Sequence, residues 1–108
     1  MIKITKLFNA FSFQMASSPK GRIDFEEVSV KEARKLLADG VDSYIGHKDT
    51  ANVVSNVLGI EVPAQRRYGK ILPGETVLIA QYIGSRLAEG ATELPEGGKI
   101  VFLKVNIK

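Results

Sequence analysis

Cysteine is absent from the 108-residue chain, which excludes a disulfide framework, a thiolate metal site and a cysteine nucleophile. The absence also fits a reducing compartment. Histidine occurs once, at position 47. A single chain therefore supplies neither a two-histidine metal site nor a two-histidine acid–base pair. No apolar run approaches the ~20 residues that a membrane-spanning helix needs. Lys3 and Lys6 interrupt the apolar residues where a signal peptide would carry its core. A cytoplasmic protein without a membrane partner is expected. The net charge is only +3, far from the dense basic footprint of a duplex nucleic-acid binder. A small anionic ligand needs fewer cations than that. The phosphate-binding P-loop and the dinucleotide glycine fingerprint are missing, as is a nucleophile elbow. Asp24, Glu26 and Glu27 are the closest thing to a carboxylate cluster, and they read as the solvent face of a strand.

The apolar share of 44% and charged share of 25% are those of an ordinary globular domain, and the length suits one domain spanning residues 1–108. Residues Met1–Phe8 and Arg22–Val28 read as strands, the second with Ile23 and Phe25 on one face. Ser29-Val30-Lys31-Glu32 has capping-box spacing. It opens a helix whose buried stripe is Val30, Ala33, Leu36 and Leu37, stopped by Gly40. A short strand is expected near Val41–Ile45, then a turn at Gly46-His47. Asp49 or Thr50 is placed to cap the next helix, with Ala51, Val54, Val57 and Leu58 inward and Gly59 at its end. Pro63–Gly69 is irregular and basic. Thr76–Ile83 is nearly continuous apolar sequence, as in a strand buried on both faces. Lys99–Ile107 alternates, with Val101, Leu103, Val105 and Ile107 on one face. The order β-β-α-β-α-β-β predicts an α/β (α+β) domain, a mixed sheet of about five strands with helices packed on it.

Four groups of residues could carry chemistry. A lone histidine is more often structural than functional, but His47 follows Gly46, which permits close backbone approach. It also precedes a helix N-terminus, whose unpaired N–H groups suit a phosphate. An imidazole, titrating near pH ~6.5, is a usable acid at neutral pH. Arg86 and Glu89 lie three apart just after the apolar strand. They are either an ion pair or helix cap, or a phosphate-contacting arginine with its orienting carboxylate. Arg66 and Arg67 are either a solvated pair or a phosphate clamp. Asn9 and Ser12 are explained by turn formation, and they could also hydrogen-bond a base or ribose.

Three segments together resemble a known family. They are Leu7-Phe8-Asn9-Ala10-Phe11-Ser12 with Met15; Ile45-Gly46-His47-Lys48-Asp49-Thr50, followed by Leu58-Gly59 and Gln65-Arg66; and Gln81 through Arg86-Leu87-Ala88-Glu89-Gly90. In order and spacing they are similar to the type III anti-CRISPR ring nucleases of archaeal viruses, which have relatives in bacteria and mobile elements. The resemblance implies a symmetric homodimer that binds cyclic tetra-adenylate and cleaves it without a metal or other cofactor. It puts the catalytic histidine at His47 and the Arg–Glu pair at Arg86 and Glu89. It puts ligand contacts at Asn9, Ser12, Arg66 and Gln81, with Gly46 beside the histidine. The implied chemistry is attack of a ribose 2′-hydroxyl on the adjacent phosphorus, with His47 protonating the leaving 5′-oxygen. Three points depart from the family. Gly84-Ser85 replaces a more polar pair before Arg86, with a one-residue shift that bears on the Gln81 assignment. Lys48 and Asp49 stand where an acidic residue and a serine follow the histidine, and an aspartate beside a phosphate costs affinity unless it turns away to cap the helix. Ala91–Gly98 reads as a turn in place of a helical segment. A module that binds a cyclic nucleotide without cutting it, or a small nucleic-acid-binding regulator with steeply salt-dependent affinity, would share much of this sequence.

Overall fold

The computed structural model describes residues 4–108. Seven elements follow one another as β1 (Thr5–Phe8), β2 (Ile23–Val28), α1 (Val30–Leu36), β3 (Val41–Ser43), α2 (Lys48–Leu58), β4 (Thr76–Ile83) and β5 (Lys99–Ile107). A short 3₁₀ turn, Phe13–Met15, lies between the first two strands. The element order is the one expected from the sequence. Of the strand expected at Met1–Phe8, the first three residues lie outside the described ones, and the strand observed begins at Thr5.

The strands form one mixed sheet in the order β2-β5-β4-β1-β3. β1 pairs in parallel with both β3 and β4, while β5 runs antiparallel to β4 and to β2. The carboxyl ends of β3, β1 and β4 therefore meet at one edge of the sheet. In α/β sheets that edge is where ligand-binding loops gather.

Both helices cover one face. Leu7, Leu78, Ala80 and Phe102 from the sheet pack there against Ala33, Leu37, Ala51, Val54 and Leu58. Ser29 caps α1, its side chain accepting from the Glu32 N–H at 3.1 Å. α1 ends before Gly40, with Leu37 as its C-cap. Gly40 serves a different purpose: a Cβ there would stand 3.2 Å from the Ile4 side chain, so its absence lets the chain enter β3 close beside β1. Gly59 ends α2 in the left-handed conformation, as expected of a C-terminal glycine.

Among the described residues, no α-helix covers the other face. Phe8, Ile71, Val77, Ile79, Val105 and Ile107 form its core, lined by Phe11, Met15, Ala16 and Tyr44 from connecting segments. The Met15–Ile71 region is stitched by a backbone bond from Ile71 N–H to the Met15 carbonyl at 2.7 Å. Ile23 and Phe25 do share this face, opposite Ile107 and Val105. The cover stops short of Phe25, however, which stays 71% exposed.

Candidate functional site

The helix that follows β3 begins in an unusual way. His47 is the N-cap of α2, in extended conformation, and its side chain makes no capping bond. The sequence pointed to Asp49 or Thr50 as the cap; both instead lie inside the first helical turn. Asp49 Oδ1 accepts instead from the backbone N–H of Gly90 at 3.2 Å. The N-cap side chain thus bonds none of the first N–H groups of α2, and unpaired N–H groups at a helix start suit an anion.

His47 lines a cleft of about 890 Å³ together with Asp49, Thr50, Tyr82, Gly84, Arg86, Leu87 and Glu89. The three residues assigned to catalysis, His47, Arg86 and Glu89, thus converge from the ends of two strands. Arg86 and Glu89 lie beyond β4 in an irregular segment, so the helix-cap explanation for the pair fails. Among the described residues, neither forms an ion pair or a side-chain hydrogen bond. Both are exposed and available to a ligand.

Gly46 and Arg66 are not among the residues that line this cleft. A Cβ at Gly46 would lie 3.2 Å from Cγ of Arg66, so the glycine admits the arginine stem against the backbone just before His47. The Gln65 N–H fixes this approach by donating to the Ile45 carbonyl at 2.9 Å. The adjacent arginine behaves differently. Arg67 pairs with Asp42, donates to the Ser43 carbonyl at 2.9 Å and lies 4.0 Å over the Tyr44 ring. Arg67 is committed to β3, whereas the Arg66 guanidinium has no hydrogen-bond partner among the described residues.

Asn9 and Ser12 do not enter this cleft. They line a second cavity of about 610 Å³, on the helix-free face, with Phe8, Tyr44 and Lys70 among its walls. The Ser12 hydroxyl accepts from the Gln14 N–H at 3.3 Å, capping the 3₁₀ turn. Phe8 and Tyr44 stack there at 4.7 Å. Gln81 lies in neither cavity; its amide donates to the Tyr82 carbonyl at 3.3 Å. Alternation along β4 explains this. Leu78 and Ala80 face the helices, so Tyr82 does too, and Gln81 falls on the opposite face with Val77 and Ile79. The same alternation, applied to the sequence, would have picked Tyr82 for the cleft. Thr50 and Gly84 carry no such signal. Among the described residues, no three histidine, aspartate or glutamate side chains come together as metal ligands, and no helix is long and apolar enough to cross a membrane.

A five-stranded mixed sheet with two helices on one face, and loops gathered at the parallel strands' carboxyl edge, together define a compact α+β domain. The family model described as STIV B116-like matches residues 5–98, and the chain belongs to that family. It is 35% identical over 74 residues to the protein ORF117 of Acidianus two-tailed virus, a match spanning 66% of this chain and 62% of the length of that relative. Its fold is similar to that of B116 of Sulfolobus turreted icosahedral virus. The TM-score is 0.74 at 28% identity, covering 96% of this chain and 98% of the other. Its relatives thus include proteins of archaeal viruses.

Proposed function

We propose that this protein is a metal-independent ring nuclease that binds cyclic tetra-adenylate at a homodimer and opens it to linear di-adenylate, switching off type III CRISPR signalling. The observation that carries the reading is the convergence of His47, Arg86 and Glu89 on one cleft. The Arg66 stem packs against Gly46, the residue before His47.

An RNA ring brings its own nucleophile. The 2′-oxygen attacks the adjacent phosphorus as its proton passes to water. The P–O5′ bond breaks, and His47 in its imidazolium form protonates the departing oxygen. The product end is a 2′,3′-cyclic phosphate. Holding the reacting groups in line is worth up to ~7–11 kcal/mol in well-oriented cases. General-acid catalysis adds ~10²–10⁴-fold. Arg86 meets the charge developing on the phosphoryl oxygens, and Glu89 orients the arginine or the ribose. The uncapped start of α2 adds N–H donors of the same sign.

A two-fold axis through a four-nucleotide ring sets two His47 side chains at opposite phosphates, so two cuts give two identical dinucleotides. Phe25, Ile83 and Leu103, exposed or half-exposed on the helix-free face, offer a second copy an apolar surface. The test is incubation with cyclic tri-, tetra- and hexa-adenylate, with and without EDTA, read by mass. Linear di-adenylate from the tetramer ring in EDTA is expected. An intact ring held tightly by the protein would instead make it a sequestering module.

A further inference from the structure

Asp49 lines the same cleft as His47, where an anionic ring would meet it. A carboxylate there repels phosphate, so its presence needs a reason. Its Oδ1 accepts from the Gly90 N–H at 3.2 Å. Gly90 directly follows Glu89 and sits at φ 80°, a conformation that suits glycine. Two turns further along α2, Asn56 donates to the Thr92 carbonyl at 2.9 Å. Residues seven apart share one face of a helix. One stripe of α2 therefore grips the connecting segment twice, once as acceptor and once as donor. Between Gly84 and Gly98 that segment contains no helix or strand. Among the described residues, Asp49 and Asn56 supply the side-chain hydrogen bonds that tie it to α2.

We propose that Asp49 is a positioning residue: its carboxylate holds the Glu89–Gly90 turn against the start of α2, and so fixes Glu89 and Arg86 opposite His47, with a penalty in affinity for the anionic ring. This rests on the ring-nuclease reading of the cleft. It also accounts for an aspartate two residues after the histidine.

The test compares wild type, Asp49→Ala and Asp49→Asn. The measurements are melting, hydrogen exchange of the Gly90 amide without ligand, and steady-state cleavage of cyclic tetra-adenylate. Asp49→Ala is expected to speed Gly90 exchange and to lower kcat about 10–100-fold, the scale of a small misplacement of reacting groups. Asp49→Asn keeps an acceptor oxygen and loses the charge. It is expected to retain wild-type kcat and Gly90 protection and to lower KM, most clearly at low salt. A merely structural role would not lower KM. Unchanged kcat or unchanged Gly90 exchange in Asp49→Ala, or an unchanged KM in Asp49→Asn, overturns the proposal. If Asp49→Ala does not fold, Asp49→Asn decides by the same KM criterion. If wild type cleaves no ring, the proposed function fails, and Gly90 exchange alone then decides whether Asp49 holds the turn.

Discussion

Where β3, β1 and β4 run parallel, three chain ends leave the sheet at one edge; where β4, β5 and β2 run antiparallel, the strands are long and the polar side chains pair across the surface. In the antiparallel half Lys104 meets Glu26 at 2.8 Å and Lys108 meets Asp24 at 3.0 Å. Exposed pairs of this kind contribute little. The parallel half holds ion pairs too, Lys6 with Glu75 at 3.0 Å and Arg67 with Asp42, but its connecting segments use polar groups in two further ways. Asp49, Asn56 and Arg67 anchor backbone, while His47, Arg66, Arg86 and Glu89 are left without partners among the described residues. A side chain kept unpaired on an anchored loop is what a ligand site requires. The same sheet thus supplies rigidity on one side and open chemistry on the other.

If that division is right, substitutions in the two halves fail differently. His47→Ala should have the largest effect on turnover, a ~10²–10⁴-fold loss of ring cleavage with the melting temperature kept. Phe102 sits in β5 against the helices and is 2% exposed. Phe102→Ala should cost about 3–5 kcal/mol of stability, read by denaturant melts, while the folded fraction still cleaves. Arg86→Ala should lower kcat/KM by ~10²–10³-fold, as removal of a donor to developing charge does. Arg67→Ala, by contrast, should show mainly as lost stability. A larger kinetic effect from Arg67 than from Arg86 would break the distinction drawn between them.

The smallest effect belongs to the exposed pair at Glu26. Its hydrogen bond and charge raise the Lys104 ammonium above its ordinary value. A raised lysine stabilises the fold below the unfolded-state value, and the contribution is lost as pH climbs through the folded one. Glu26→Gln should therefore leave the melting temperature unchanged within error, and flat between about pH 6 and about pH 9, since Lys104 stays charged throughout.

The antiparallel half was the more legible in the sequence. Thr76–Ile83 and Lys99–Ile107 are strands with the bounds their apolar patterns predict, because long buried strands leave long patterns. β3 is only three residues, too short for periodicity to mark its ends. In the candidate site, His47 and the Arg86–Glu89 pair were separate candidates in the sequence and only the resemblance joined them; all three line one cleft. Three things were not legible. Arg66 and Arg67 are neighbours with equal charge, and only the packing of Tyr44 and Asp42 separates them. The one-residue choice between Gln81 and Tyr82 depends on which face of β4 the helices cover. Asp49 looked like a helix cap because local sequence favours that bond, yet its partner Gly90 lies 41 residues away.

The most direct measurement is the mass spectrum of cyclic tetra-adenylate incubated in EDTA with the wild-type protein and with His47→Ala. The account predicts linear di-adenylate ending in a 2′,3′-cyclic phosphate from wild type, and an intact, protein-bound ring from the variant. An intact ring with wild type, or undiminished cleavage by His47→Ala, would contradict it.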